Sequence, residues 1–195
     1  AHETATRRPV IGMATRFASE KGVEILLEAL PAVLAKYPHT QVLFAGQYQN
    51  VMGEQSYFER LKPQIQKYEA SGHWKFLGNL DLVKMAAYYP NLDVLVVPSL
   101  NSTEAFGLVQ IEAMLNGVPC IASALPGVRR PVQMHNMGEV TPIRDAPALA
   151  EALLKVLANR AKYKCDTAEL ARIYDPDSVA VEYEKLFAKL MGKKE

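Results

Sequence analysis

The chain has 195 residues and only two cysteines, Cys120 and Cys165. They lie far apart, with no Cys-x-x-Cys pair and no Cys/His spacing of the kind that grips zinc, so reduced thiols in a cytosolic protein are expected. Long apolar runs are missing too. No stretch approaches the roughly 18 residues of a membrane span, and the opening "AHETATRRPV" lacks the apolar segment of a secretory signal. Nor does one sign of charge prevail: 22 Lys and Arg face 21 Asp and Glu, a formal net charge of +1. The field of the whole chain therefore gives no reason to expect nucleic acid or an anionic membrane surface as partner, and any phosphate recognition must be local. Internal repeats and low-complexity linkers are also lacking.

Apolar residues make up 49% of the chain, enough to bury one full core, so residues 1–195 are expected to form a single globular domain. Strand-like runs alternate with segments of helical periodicity. "PVIGMA" (9–14) precedes "VEILLEALPAVLAKY" (23–37), and "TQVLFAG" (40–46) precedes a helix over about 57–70. A short strand at 74–77 leads to a helix at about 81–89. "DVLVVPS" (93–99) has no polar alternation, as expected of a parallel strand covered on both faces. "FGLVQIEAMLNG" (106–117) reads as a helix stopped by Gly117, "VPCIAS" (118–123) as another buried strand, and 139–141 as extended. Helices are expected over about 147–161, 167–173 and 178–191. The sum is a doubly wound α/β domain with a mainly parallel sheet flanked by helices and joined by right-handed crossovers.

In such a sheet, ligands sit beyond the carboxyl ends of the strands. The first loop there, "TRFASEKG", places Arg16 and Lys21 before a helix, where two cations and free N–H groups suit a pyrophosphate without a metal. After "DVLVVPS", Glu104 precedes a helix and Glu112 lies within it. Helical side chains lean toward the N-terminus, so both carboxylates are expected to face one crevice. Gly107 between them would let the backbone N–H groups of Phe106, Gly107 and Leu108 approach a phosphate. Carboxylates accept paired O–H bonds from sugar or ribose hydroxyls. "DPD" (175–177) has the form of a metal-binding Asp-x-Asp, but its place before the last helix favours Asp177 as an N-cap. Tyr57, Tyr68, Tyr88 and Tyr89 fall on helical segments and read as packing residues. His2, His39, His73 and His135 fall outside these motifs and receive no role.

"EAFGLVQIE", set between "DVLVVPS" and "AMLNGVPCIAS", resembles the donor-site signature of retaining glycosyltransferase family 4. "RFASEKG", "VLFAG" and "FLGNL" resemble that family's other landmarks in the same order, covering about residues 10–142, and "DSVAVEYEKLFAKL" (177–190) resembles its closing helix. The resemblance implies one half of a GT-B fold: a Rossmann-like C-terminal domain binding a UDP- or GDP-hexose donor, with no cofactor and no metal. By that likeness Arg16, Lys21, Phe106, Gly107 and Leu108 hold the diphosphate, Glu104 is the catalytic-site carboxylate on the hexose, and Glu112 binds the ribose. Leu77, Gly78, Asn79 and Leu80 lie against the base. It also implies a missing N-terminal acceptor-binding domain, a fragment inactive on its own, and a cytoplasmic protein whose membrane contact would run through that domain. The start before the first strand suggests a cut at an interdomain linker. "ALPGVRRPV" (124–132) departs from the family's Gly-Gly-x-x-Glu element, with Arg130 where an acid stands. The alternatives are a nucleotide-sugar-binding module without chemistry, or another GT-B enzyme such as a sugar-nucleotide epimerase or a phosphorylase.

Overall fold

The structure is a computed structural model that describes residues 8–192. Six strands form one sheet: β1 (Val10–Ala14), β2 (Gln41–Ala45), β3 (Trp74–Gly78), β4 (Val94–Val97), β5 (Cys120–Ser123) and β6 (Gly138–Thr141). All the pairs are parallel, in the order β3-β2-β1-β4-β5-β6. The helices are α1 (Val23–Lys36), α2 (Gln55–Ala70), α3 (Leu82–Tyr88), α4 (Val109–Leu115), α5 (Arg130–His135), α6 (Ala146–Ala158), α7 (Thr167–Ile173) and α8 (Pro176–Leu190). The doubly wound α/β expectation holds.

Side chains alternate along each strand, so a strand buried on both faces feeds two cores. Ile11, Met13, Val42, Phe44, Val94, Val96 and Ile121 face a core closed by α1, α2 and α6. Leu95, Val97, Cys120 and Ala122 face a second core closed by α3, α4, α5 and α7. Gly12 faces the second core because a Cβ there would meet the Leu92 side chain at 2.3 Å. Asp93 fastens the start of the sheet: its carboxylate accepts from Val10 N at 2.8 Å and pairs with Arg160 at 2.7 Å. Pro31 lies inside α1 without ending it. The Leu27 carbonyl that proline leaves free accepts a weak bond from Gln64 of α2, at 3.5 Å.

Several boundaries differ from the sequence reading. α4 starts at Val109 rather than Phe106, because Gly107 adopts φ +77° and breaks helical geometry before it. A helix, α5, arises in the "VRRPV" stretch that read as loop, with Pro131 in its first turn, where the missing N–H costs nothing. α6 ends at Ala158, followed by a 3-10 turn at Arg160–Lys162. α8 starts at Pro176, and the capping carboxylate is that of Asp175, which accepts from Ser178 N at 2.9 Å, not that of Asp177. α8 buries none of its residues, and Tyr183, Leu186, Phe187 and Leu190 are exposed. No helix among the described residues is long and apolar enough to cross a membrane.

His135 at the end of α5 lies 3.0 Å from the Tyr174 hydroxyl, between α7 and α8. Burial holds its imidazole below its ordinary value of 6.5, with Glu169 opposing in part. The unfolded chain therefore takes up this proton first as pH falls. The stability of neutral His135 is complete above about pH 6.5 and is lost below it. The melting temperature of wild type is expected to fall more steeply than that of His135→Gln between pH 7 and 5, as followed by circular dichroism. Parallel profiles would remove this role.

Candidate functional site

The strand order reverses between β1 and β4, and the helices that follow them leave toward opposite faces: α1 packs in the first core and α4 in the second. Their loops part at the carboxyl ends of the two strands, where open α/β sheets bind ligands.

The β1–α1 loop, residues 15–22, is anchored by Phe17. Its ring is buried among Phe44, Tyr57, Phe58 and Phe76, and its N–H donates to Gln47 O at 2.7 Å. A 3-10 turn, Ser19–Lys21, then delivers Lys21, and Gly22 follows at φ +70°. A Cβ on Gly22 would lie 2.1 Å from Pro98 O, so only glycine lets the β4–α4 loop come this close. Leu100 N donates to Glu20 O at 2.8 Å, which ties the two loops together.

Across that seam Lys21 Nζ meets Glu104 Oε2 at 2.8 Å, with side chains 13% and 23% exposed. These two of the expected site residues are thus brought into direct contact. Arg16 is 56% exposed and pairs with Glu20 at 2.6 Å, so its guanidinium lies at the rim on an intraloop partner. Phe106, Gly107 and Leu108 lie in the loop before α4, and their N–H groups donate to no acceptor among the described residues. Glu104 and Glu112 share no partner among the described residues: Glu112 Oε2 accepts from the Tyr89 hydroxyl at 2.5 Å. Burial, then the Glu112 carboxylate, push the Tyr89 phenol above its usual range, so it remains a proton donor to Glu112.

Leu77 and Gly78 end β3 at the sheet edge and Asn79 and Leu80 follow it, three strand spacings, or about 14 Å, from β4. A ligand touching both must lie stretched across the strand ends. Gly78 O accepts from Gly46 N at 2.8 Å, and Leu77 and Leu80 pack on the second core beside Tyr88 and Tyr89. Of the histidines, His73 Nδ1 lies 2.8 Å from Thr40 O and His135 sits by Tyr174, while His2 lies outside the described residues.

Two contributions were not legible in the sequence. The first is Tyr89, whose separation from Glu112 by 23 positions gives no periodic signal. The second is the β5–α5 loop, residues 124–129. Its Gly127 lies so close to the β4–α4 loop that a Cβ would be 1.6 Å from Ala105 O. Fully buried Gln110 donates from Nε2 both to Phe106 O at 3.1 Å and to Val128 O at 2.9 Å. Arg129 and Arg130 follow this contact, and neither makes an ion pair among the described residues. A glycine in "LPGV" is the one sequence signal that could have pointed to it.

Gly127→Ala forces two backbones apart and is expected to cost about 1–3 kcal/mol, as overpacking does. Urea unfolding would show it as a lower midpoint at unchanged slope. An unchanged midpoint would mean that the two loops are not pressed together.

Residues 1–172 match the family described as Glycosyl transferases group 1. A phosphatidyl-myo-inositol mannosyltransferase of Mycobacterium leprae is 35% identical over 173 residues, 86% of this chain and 42% of that protein. Among solved structures, sucrose-phosphate synthase from Thermosynechococcus elongatus superposes with a TM-score of 0.77 at 30% identity, covering 96% of this chain and 46% of that one. Anabaena HepE in complex with UDP gives 0.76 at 25% identity, covering 93% and 49%. The chain spans less than half the length of each.

Proposed function

The chain belongs to the glycosyl transferases group 1 family, and from that premise we propose that it is the donor-binding domain of a retaining glycosyltransferase of family 4 with the GT-B architecture. The reading takes a UDP- or GDP-hexose as donor, needs no metal, and assigns acceptor recognition to a separate N-terminal domain. What carries it is the meeting of the β1–α1 and β4–α4 loops at the switch point, where Lys21 and Glu104 pair beside three uncommitted backbone N–H groups. UDP bound to the Anabaena neighbour supports a nucleoside diphosphate as ligand. The exposed apolar side of α8 supports a further body packing there.

On this reading Lys21 and Arg16 turn to the diphosphate, joined by the N–H groups of Phe106, Gly107 and Leu108. As the bond from the anomeric carbon to phosphate breaks, negative charge grows on the leaving oxygen and positive charge on the sugar. Once turned to the bound diphosphate, the cations and the N–H dipoles stabilise the first without further reorganisation as the bond breaks. Glu104 orients the hexose hydroxyls and sits near the developing positive charge. Its contact with Lys21 draws the two halves of the leaving reaction together: one residue for the phosphate, its partner for the sugar. Glu112, held by Tyr89, accepts from the ribose hydroxyls, and residues 77–80 border the base. The donor then spans the strand ends from β4 to β3. The reading places the protein in the cytoplasm.

Calorimetric titration with UDP and with GDP tests it. One diphosphate is expected to bind equally with and without a chelator. Arg16→Ala, Lys21→Ala and Glu112→Ala should each weaken it roughly tenfold or more, the scale of one charge-assisted bond. Binding of neither nucleotide would sink the donor reading, and an unaffected Glu112→Ala would remove the ribose role alone.

A further inference from the structure

Gln110 lies in the first turn of α4 with no exposed surface. Its Nε2 donates to two carbonyls, Phe106 O at 3.1 Å and Val128 O at 2.9 Å. Both neighbours are acceptors, so only the NH2 end of the amide can face them and the orientation of the side chain is fixed by chemistry. At the other end Oε1 is buried with no hydrogen-bond partner among the described residues.

The Phe106–Gly107 peptide is trans, as are all those described. In a planar trans peptide the C=O of one residue and the N–H of the next point in opposite directions. By drawing Phe106 O inward, Gln110 turns the Gly107 N–H away from the buried side. Gly107 allows this through its φ of +77°, and a Cβ there would lie 2.7 Å from Gln110 Nε2. The same NH2 group binds Val128, so the β5–α5 loop braces the arrangement from behind. From this geometry we infer that Gln110 is a positioning residue that aims the Gly107 N–H at the donor diphosphate, acting through the Phe106–Gly107 peptide and not touching the ligand. The inference rests on the donor reading of this site.

Its test compares the full chain with Gln110→Met, which keeps the length of the side chain and removes both donor hydrogens. UDP and GDP affinities are measured by calorimetry, uridine and guanosine affinities by NMR titration, and the Gly107 amide resonance is followed during the diphosphate titration. Gln110→Met is expected to melt cooperatively, to lose about tenfold in diphosphate affinity, the worth of one well-placed bond, and to keep nucleoside affinity. The shift of the Gly107 amide on adding diphosphate should shrink alongside. Should this variant not fold, Gln110→Glu serves in the same comparison, since its ionised carboxylate offers the two carbonyls no hydrogen. Unchanged diphosphate affinity in a folded variant overturns the inference while leaving the donor reading intact. An equal loss of nucleoside affinity overturns it too, as a merely structural effect. A wild type that binds neither UDP nor GDP removes the donor reading, and the inference with it.

Discussion

Helices that leave neighbouring parallel strands toward opposite faces of a sheet cannot fill the space above the point where they part. That constraint governs the rest of this molecule. α1 descends on one face and α4 on the other, and the gap between β1 and β4 is closed only by the loops that precede them. The residues of the candidate site gather there because the strands are covered by apolar side chains on both faces, which leaves polar groups to collect at their ends.

Close backbone approach holds those loops. Gly22 lies against Pro98 and Gly127 against Ala105, and at both places a single methyl group would separate the chains. Hydrogen bonds then set the orientation: Leu100 N to Glu20 O across the first contact, and the Gln110 amide across the second. The Lys21–Glu104 pair is laid over this frame and does not create it. A partly buried pair of this kind is costly to break on one side and adds little when whole, which suits groups that exchange partners when a ligand arrives.

Much of this was legible in the sequence because it follows from local pattern. The unbroken apolar runs of β4 and β5 announced a two-sided sheet, and the loops rich in Arg, Lys, Glu and Gly fell where the strand ends would be. The boundaries that moved did so for reasons no periodicity carries. Helical propensity in "FGLVQIEAM" extends to Phe106, but the left-handed Gly107 that stops it is fixed by contact with Gln110. Asp175 and Asp177 are equally good caps by composition, and chain geometry chose the first. Tyr89 and the β5–α5 loop reach the site only through tertiary packing. Asp93 was likewise unmarked, although its bonds to Val10 and Arg160 pin the sheet at the end remote from the Lys21–Glu104 pair.

The last helix offers a different lesson. α8 has 15 residues, a capped start and no buried side chain. Isolated helices of about that length are marginal in water, because one face must be packed to offset the ordering of the backbone. With Tyr183, Leu186, Phe187 and Leu190 uncovered, the amides of α8 are expected to exchange with solvent before those of the sheet. A body packed against this face would add to the free energy that holds α8 in one conformation. The affinity of such a body would be reduced by whatever ordering of α8 accompanies its binding.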